Sequence, residues 1–236
     1  MKDLSEFRAD IEESFTWRQE EYRIIKNTIK EDNKIPITKM LIAILYAHYE
    51  GFFKDAFEIY INFINSTGLE LNKFNNSLIT ASLDREYSSF EDLNRLCREL
   101  TTDPPKENYL NRFHRRFELT KIFSSRYLNK IIKIDDKIID TKSNLTYVVL
   151  QENLYVLGLE YDLFSEKKDK INKLVHLRNS IAHGSQKELI EFNDLEMLET
   201  EILGIINTFI TYLYKFCEDK EYLTGSQIKQ AKSLVQ

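Results

Sequence analysis

Met40-Leu41-Ile42-Ala43-Ile44-Leu45-Tyr46-Ala47-His48-Tyr49-Glu50-Gly51-Phe52-Phe53-Lys54-Asp55-Ala56-Phe57-Glu58-Ile59-Tyr60-Ile61 forms the middle of a longer apolar stretch, Ile37 to Ile64. Its apolar residues fall on nearly every side of a 3.6-residue helix, so it reads as a central helix surrounded by others. Pro36 followed by Thr38 suits its opening turn and Gly68 its stop. Ala43, Ala47 and Gly51 recur at i, i+4, i+8, a small-residue strip that a neighbouring helix can approach closely. A helix of this kind needs partners, and the flanking sequence supplies them.

Upstream, Leu4, Phe7, Ile11, Phe15, Tyr22, Ile25 and Ile29 line one face of a helix over about Asp3 to Lys30, ended by Asp32-Asn33. Downstream, helices are predicted from Asn144 to Leu157 (stopping at Gly158), from Lys167 to His183 (stopping at Gly184) and from Asn193 to Phe216. Residues 70–143 read as a less regular insert. Two short helices, Phe74 to Leu83 and Phe90 to Leu100, flank a polar bend at Asp84-Arg85-Glu86. Thr101-Thr102-Asp103-Pro104-Pro105 breaks the chain, Tyr109 to Lys121 resumes as helix, and Ile131 to Ile139 is an extended or irregular connection. The tail from Tyr222, with a start signal at Gly225-Ser226, reads as a short docked helix. The expected fold is an all-α antiparallel bundle, one domain over residues 1–236.

Composition agrees. The chain has 236 residues with 6 Gly and 3 Pro, where average usage gives roughly 16 and about 12. That shortage excludes a turn-rich β-sandwich or barrel. Net charge is −5, so a nucleic-acid partner would have to meet a local basic surface. Cys97 and Cys217 are far apart with no Cys-x-x-Cys spacing, which excludes a disulfide scaffold and points to a reducing cytosol. The charged N-terminus lacks a signal-peptide core, and no apolar run reaches the ~18–20 residues of a membrane span. The four histidines show no metal-ligand spacing. No Gly-x-Gly-x-x-Gly, Walker loop or Gly-x-Ser-x-Gly elbow is present, so no metal or cofactor is expected.

The chemistry-bearing stretch is Leu174-Val175-His176-Leu177-Arg178-Asn179-Ser180-Ile181-Ala182-His183-Gly184. At 100° per residue Leu174, Leu177 and Ile181 point inward. His176, Asn179, Ser180 and His183 share the other face, with Arg178 at its edge. These groups could handle an attacking hydroxyl and a charged phosphate, although a polar helix face is more often simply solvated.

Arg178-Asn179-x-x-x-His183, followed by Gly184, resembles the Arg-x4-His motif of the all-helical HEPN superfamily. Ala47-His48-Tyr49-Glu50-Gly51-Phe52-Phe53-Lys54 and Asp140-Thr141-Lys142-Ser143-Asn144-Leu145 resemble segments of a bacterial HEPN nuclease subgroup. The resemblance implies a metal-independent endoribonuclease, often a toxin or phage-defence effector. It also implies a homodimer whose facing motif helices form one cleft. By the same resemblance His183 is the general base on the ribose 2′-OH, Arg178 holds the scissile phosphate, and Asn179 orients the phosphate or the imidazole. His176 and Ser180 would line the substrate side. Some members carry a Tyr two residues after the motif His that a partner modifies; here that position is Ser185. The competing expectation is a non-catalytic HEPN-like binding or assembly module of a defence complex.

Asn111-Arg112-Phe113-His114-Arg115-Arg116-Phe117 offers two readings. Arg112, His114, Arg115 and Arg116 could form an RNA track in which rings stack on bases, extended by Arg126 and Lys130. Alternatively, Phe113 and Phe117 point into a core and the arginines are solvated. His48 is either a core histidine or part of the cleft frame. Glu50, a carboxylate on an apolar helix, needs a partner: Lys54 locally or Arg178 across the core.

Overall fold

The computed structural model describes residues 3–98, 107–124, 129–184 and 191–224, among which there are eight α-helices and no strand. They are α1 (Leu4–Lys26), α2 (Lys34–Ser66), α3 (Asn76–Ser82), α4 (Asp84–Glu91), α5 (Tyr109–Ser124), α6 (Tyr147–Val156), α7 (Lys168–Ala182) and α8 (Phe192–Glu218). The long apolar stretch is the central element: α2 packs against α1, α7 and α8, and α1 and α7 also meet α8. Tyr49, Phe52, Phe53, Phe57 and Tyr60 of α2 are fully buried. Phe53 lies 4.9 Å from Phe209 of α8 and 5.2 Å from Tyr49, centroid to centroid. Phe7 and Phe15 of α1 close the other side on Phe63 and Phe52. Full burial of each such ring contributes about 1.5–3 kcal/mol, which makes this aromatic seam the main stabilising unit.

The small-residue strip on α2 is only partly used as expected. Ala43 is half-buried and Ala47 is exposed, so no helix lies along the whole strip. Gly51 is the position of close approach: a Cβ there would sit 3.1 Å from Nη2 of Arg18. Arg18 on α1 is 7% exposed. Its Nη1 donates to the Ser14 carbonyl at 2.6 Å and to Ser14 Oγ at 2.7 Å, and its Nη2 donates to Asp55 Oδ2 at 2.9 Å. The guanidinium also lies 4.3 Å from the Trp17 ring. The glycine makes room for a buried cation rather than for a second backbone.

The insert has three short helices, as its sequence suggests, but one of them is placed differently. Asp84-Arg85-Glu86 opens α4 instead of forming a bend, because two carboxylates in a first turn favour the helix N-terminus. The second short helix therefore lies at Asp84–Glu91 rather than starting at Phe90, and residues 99–100 of the expected range lie outside the described residues. Beyond it Asp92 turns the chain, accepting from the Asn94 amide through Oδ1 and the Arg95 amide through its carbonyl. α4 and α5 pack on each other, and α3 links them to α6. Residues 131–139 contain an isolated bridge from Ile131 to Glu70 and one 3-10 turn, Asp136–Ile138. Leu223 bridges to Phe74. The Thr101 to Pro105 break and the Gly225-Ser226 signal lie outside the described residues. No helix among the described residues is long and apolar enough to cross a membrane.

Candidate active site

On α7, Ile171, Leu174 and Val175 are buried and Leu177 and Ile181 pack against the core, as the periodicity requires. The helix ends at Ala182, one residue earlier than expected. His183 is its C-cap, donating its backbone N–H to the Asn179 carbonyl at 3.0 Å. Gly184 follows at φ +66°, left-handed backbone that glycine adopts without a Cβ penalty, and its N–H satisfies the Ile181 carbonyl at 3.1 Å. This ending leaves the His183 side chain exposed rather than packed in its own core. His176 is exposed one face back, while Asn179 and Ser180 are half-buried.

Arg178 is held by three separate parts of the chain. Its Nη1 donates to Asn179 Oδ1 at 2.8 Å and its Nη2 to the Ser143 carbonyl at 3.2 Å. The guanidinium carbon sits 4.0 Å from the Tyr46 ring centre, a cation–π contact from α2. Glu50, one turn along α2, places Oε2 3.9 Å from Nη2. Both side chains of that pair are 23% exposed. Of the two partners expected for Glu50, Arg178 is the one the structure brings to it.

The carbonyl that meets Arg178 comes from an unusual loop. Lys142 and Ser143 have φ of 49° and 61°, left-handed backbone in two non-glycine residues, which costs on the order of 1 kcal/mol each. Polar side chains hold it there. Asp140 Oδ1 accepts from the Lys142 amide at 2.7 Å. Buried Asn153 of α6 accepts from the Asp140 amide and donates to the Asp140 carbonyl. The Leu145 amide donates to Tyr46 Oη at 2.9 Å, and the Tyr147 amide donates to Asn172 Oδ1 of α7. Burial pushes the Tyr46 phenol above its usual value, so it stays a neutral hydroxyl at pH 7. Nε of Arg178 is buried without a hydrogen-bond partner. A guanidinium has two N–H bonds on each terminal nitrogen. One on each makes a hydrogen bond and one on each does not, with Glu50 Oε2 3.9 Å from Nη2.

The structure separates the other candidates. His48 lies on the face of α2 turned toward α1, with Nε2 3.3 Å from Glu21 Oε2 and its ring edge-on to Trp17. It is therefore not part of the Arg178 frame. On α5 the core reading is inverted: Phe113 and Phe117 are 52% and 53% exposed, and Arg115 is 5% exposed. Arg115 Nη2 donates to Glu107 at 3.0 Å, and fully buried Asn111 accepts from the Cys97 amide at 2.9 Å. Polar groups tie this helix down and its rings face solvent. Arg112 and Arg116 are exposed and His114 is half-buried, so Arg115 alone of the four is withdrawn from a surface track. Arg126 and Ser185 lie outside the described residues.

Tyr46, Asn153 and Asn172 were not singled out from sequence, and Ser143 entered only as part of the 140–145 segment. A buried amide on the apolar α6 was the one available signal, since Asn153 there needs partners. Among the described residues no three His, Cys, Asp or Glu side chains gather where a metal could bind. A family model described as RiboL-PSP-HEPN matches residues 13–215, spanning α2, the 140–146 loop and α7. No curated protein and no solved structure matches the chain.

Proposed function

From the chain's membership of the RiboL-PSP-HEPN family, to which it belongs over most of its length, we propose that it is a metal-independent endoribonuclease. The HEPN superfamily often has ribonuclease activity. The observation that carries the reading is Arg178. It is fixed by α2, by the 140–146 loop and by Asn179, with two N–H bonds unspent, on the helix that ends in an exposed His183. An unspent guanidinium N–H can make a strong, charge-assisted hydrogen bond to a phosphate oxygen.

In the proposed reaction His183 takes the proton from a ribose 2′-OH, and the freed oxygen attacks the adjacent phosphorus. Arg178 stabilises the charge that builds on the non-bridging oxygens. Asn179, already bonded to Arg178, keeps the guanidinium oriented. The bond from phosphorus to the 5′-oxygen breaks, and that oxygen leaves as a hydroxyl after gaining a proton. The products carry a 2′,3′-cyclic phosphate and a 5′-hydroxyl. His176 and Ser180 lie along the same helix on the substrate side. On α5, exposed Arg112 and Arg116 beside Tyr109, Phe113 and Phe117 suit single-stranded RNA, whose bases stack on rings and whose phosphates attract cations. Half-buried His114 borders that surface. We read the active form as a cytoplasmic homodimer with two α7 ends forming one cleft. Its biological role is that of a toxin or phage-defence effector, restrained or triggered by a partner protein.

A single-stranded RNA and the same oligonucleotide with 2′-deoxy sugars test the chemistry. The RNA is expected to be cut to cyclic-phosphate ends and the deoxy version to stay intact. Cutting of both, or 3′-hydroxyl ends, would contradict 2′-OH attack. Binding of RNA without any cutting would instead favour the non-catalytic assembly module.

A further inference from the structure

The two terminal hydrogen bonds of Arg178 are not equivalent. Asn179 is its neighbour in sequence, so that bond travels with α7 and orients the guanidinium only within its own helix. The bond to the Ser143 carbonyl and the contact with the Tyr46 ring come from other elements of the fold. Both lead back to one side chain. Tyr46 places its ring centre 4.0 Å from the guanidinium carbon. Its hydroxyl accepts the Leu145 N–H at 2.9 Å, two residues on from Ser143. Leu145 is fully buried, so its N–H has no water to turn to. Between Asp140 and Leu145 the chain passes through left-handed Lys142 and Ser143. Such backbone persists only where its surroundings hold it. Asn153 holds one end, at Asp140, and Tyr46 Oη holds the other.

We propose that Tyr46 is a positioning residue for the ribonuclease reaction. Through it α2 fixes the Arg178 guanidinium twice, by the ring directly and by the hydroxyl through the loop that carries the Ser143 carbonyl. The assignment rests on the ribonuclease reading of the same site. Tyr46 is 2% exposed, out of reach of a substrate, so its effect passes through Arg178. Donors stabilise a transition state only when they stand where charge develops, and a misplacement of about 1 Å can cost ~10²-fold in rate. Phenylalanine at this position keeps the ring and loses the hydroxyl; leucine loses both.

The test is steady-state cutting of single-stranded RNA by wild type, Tyr46→Phe, Tyr46→Leu and Tyr49→Phe, with thermal melts to show that each is folded. Tyr49, also on α2, buries a hydroxyl that has no hydrogen-bond partner. Tyr49→Phe is therefore the matched control for deleting a buried hydroxyl from this helix. Tyr46→Phe is expected to lose about tenfold in kcat, the size of one hydrogen bond. Tyr46→Leu is expected to lose about a hundredfold. KM stays within about twofold in both, because what is lost is alignment rather than substrate binding. Amide hydrogen exchange over residues 141–146, read without RNA, is expected to quicken about tenfold in Tyr46→Phe and to stay unchanged in Tyr49→Phe. Wild-type kcat or wild-type loop exchange in Tyr46→Phe would overturn the assignment while leaving the ribonuclease reading in place. An equal kcat loss in Tyr49→Phe, or a loss confined to KM, would do the same. A wild type that cuts no RNA would overturn the reading and the assignment together.

Discussion

The α1–α2 seam and the α4–α5 pair each bury an arginine, and they do so in opposite ways. Arg18 is 7% exposed, and none of its buried nitrogens is left without a partner. Ser14 and Asp55 accept from it, and Trp17 flanks it. Arg115 is as deeply placed, yet two of its nitrogens have none. The aromatic residues divide the same way. Phe52, Phe53 and Phe57 are sealed inside the bundle, whereas Tyr109, Phe113 and Phe117 of α5 stand in solvent. In the bundle the buried cation is answered from within the chain, while the Tyr22, Tyr49 and Tyr60 hydroxyls are buried without a hydrogen-bond partner. In the α4–α5 pair, Nε and Nη1 of the buried cation have no acceptor. Arg178 stands between these cases, oriented by the scaffold with donors to spare.

The widest contrast is in packing. Phe53→Ala is expected to cost about 3–5 kcal/mol, the range for truncating a buried ring. Phe113→Ala is expected to stay within about 0.5 kcal/mol. Urea unfolding of both variants checks this, and a large loss at Phe113 would mean that α5 is part of the same core. The two arginines give the next largest difference. Asp55→Ala removes the carboxylate that Arg18 Nη2 meets, at an expected cost of about 1–2 kcal/mol, since Asp55 is itself 41% exposed. Arg115→Met is expected to be neutral or slightly stabilising, because an incompletely paired buried charge gives way to apolar surface. A comparable loss in Arg115→Met would erase the distinction between the regions.

A smaller effect concerns pH. Burial holds the His48 imidazole below its ordinary value of 6.5, with Arg18 acting in the same direction and Glu21 opposing. The unfolded chain therefore takes up this proton more readily than the folded one. The stability tied to neutral His48 is present above about pH 6.5 and is lost as pH falls through the depressed folded value. His48→Gln is expected to flatten the thermal-stability profile between pH 7 and 5. An unchanged slope would show that other groups set it.

How much of this was legible in the sequence differs between the same two regions. In α2 and α7 the period of apolar residues is set by burial against the bundle. The inward face of Leu174, Leu177 and Ile181 and the stop at Gly184 could therefore be read directly. On α5 the spacing of Phe113 and Phe117 is equally helical, but periodicity does not say which face is inside. Glu107 and Asn111 decide that, by capturing Arg115 and the Cys97 amide. The support around Arg178 was legible only in part. Glu50 announced itself as a carboxylate needing a cation. Tyr46 resembled any other core aromatic, and the Ser143 carbonyl is a backbone group whose position depends on two left-handed residues that no side-chain pattern marks.

The central claim is that Arg178 and His183 cut RNA without a metal. It is tested most directly by incubating labelled single-stranded RNA with wild type, Arg178→Ala and His183→Ala in excess EDTA. His183 is exposed at a helix end, so its variant is expected to melt like wild type while losing about 10²–10⁴-fold in rate. Arg178→Ala is expected to lose about 10²–10³-fold. Equal cutting by all three proteins, or cutting by wild type that EDTA abolishes, would contradict the account.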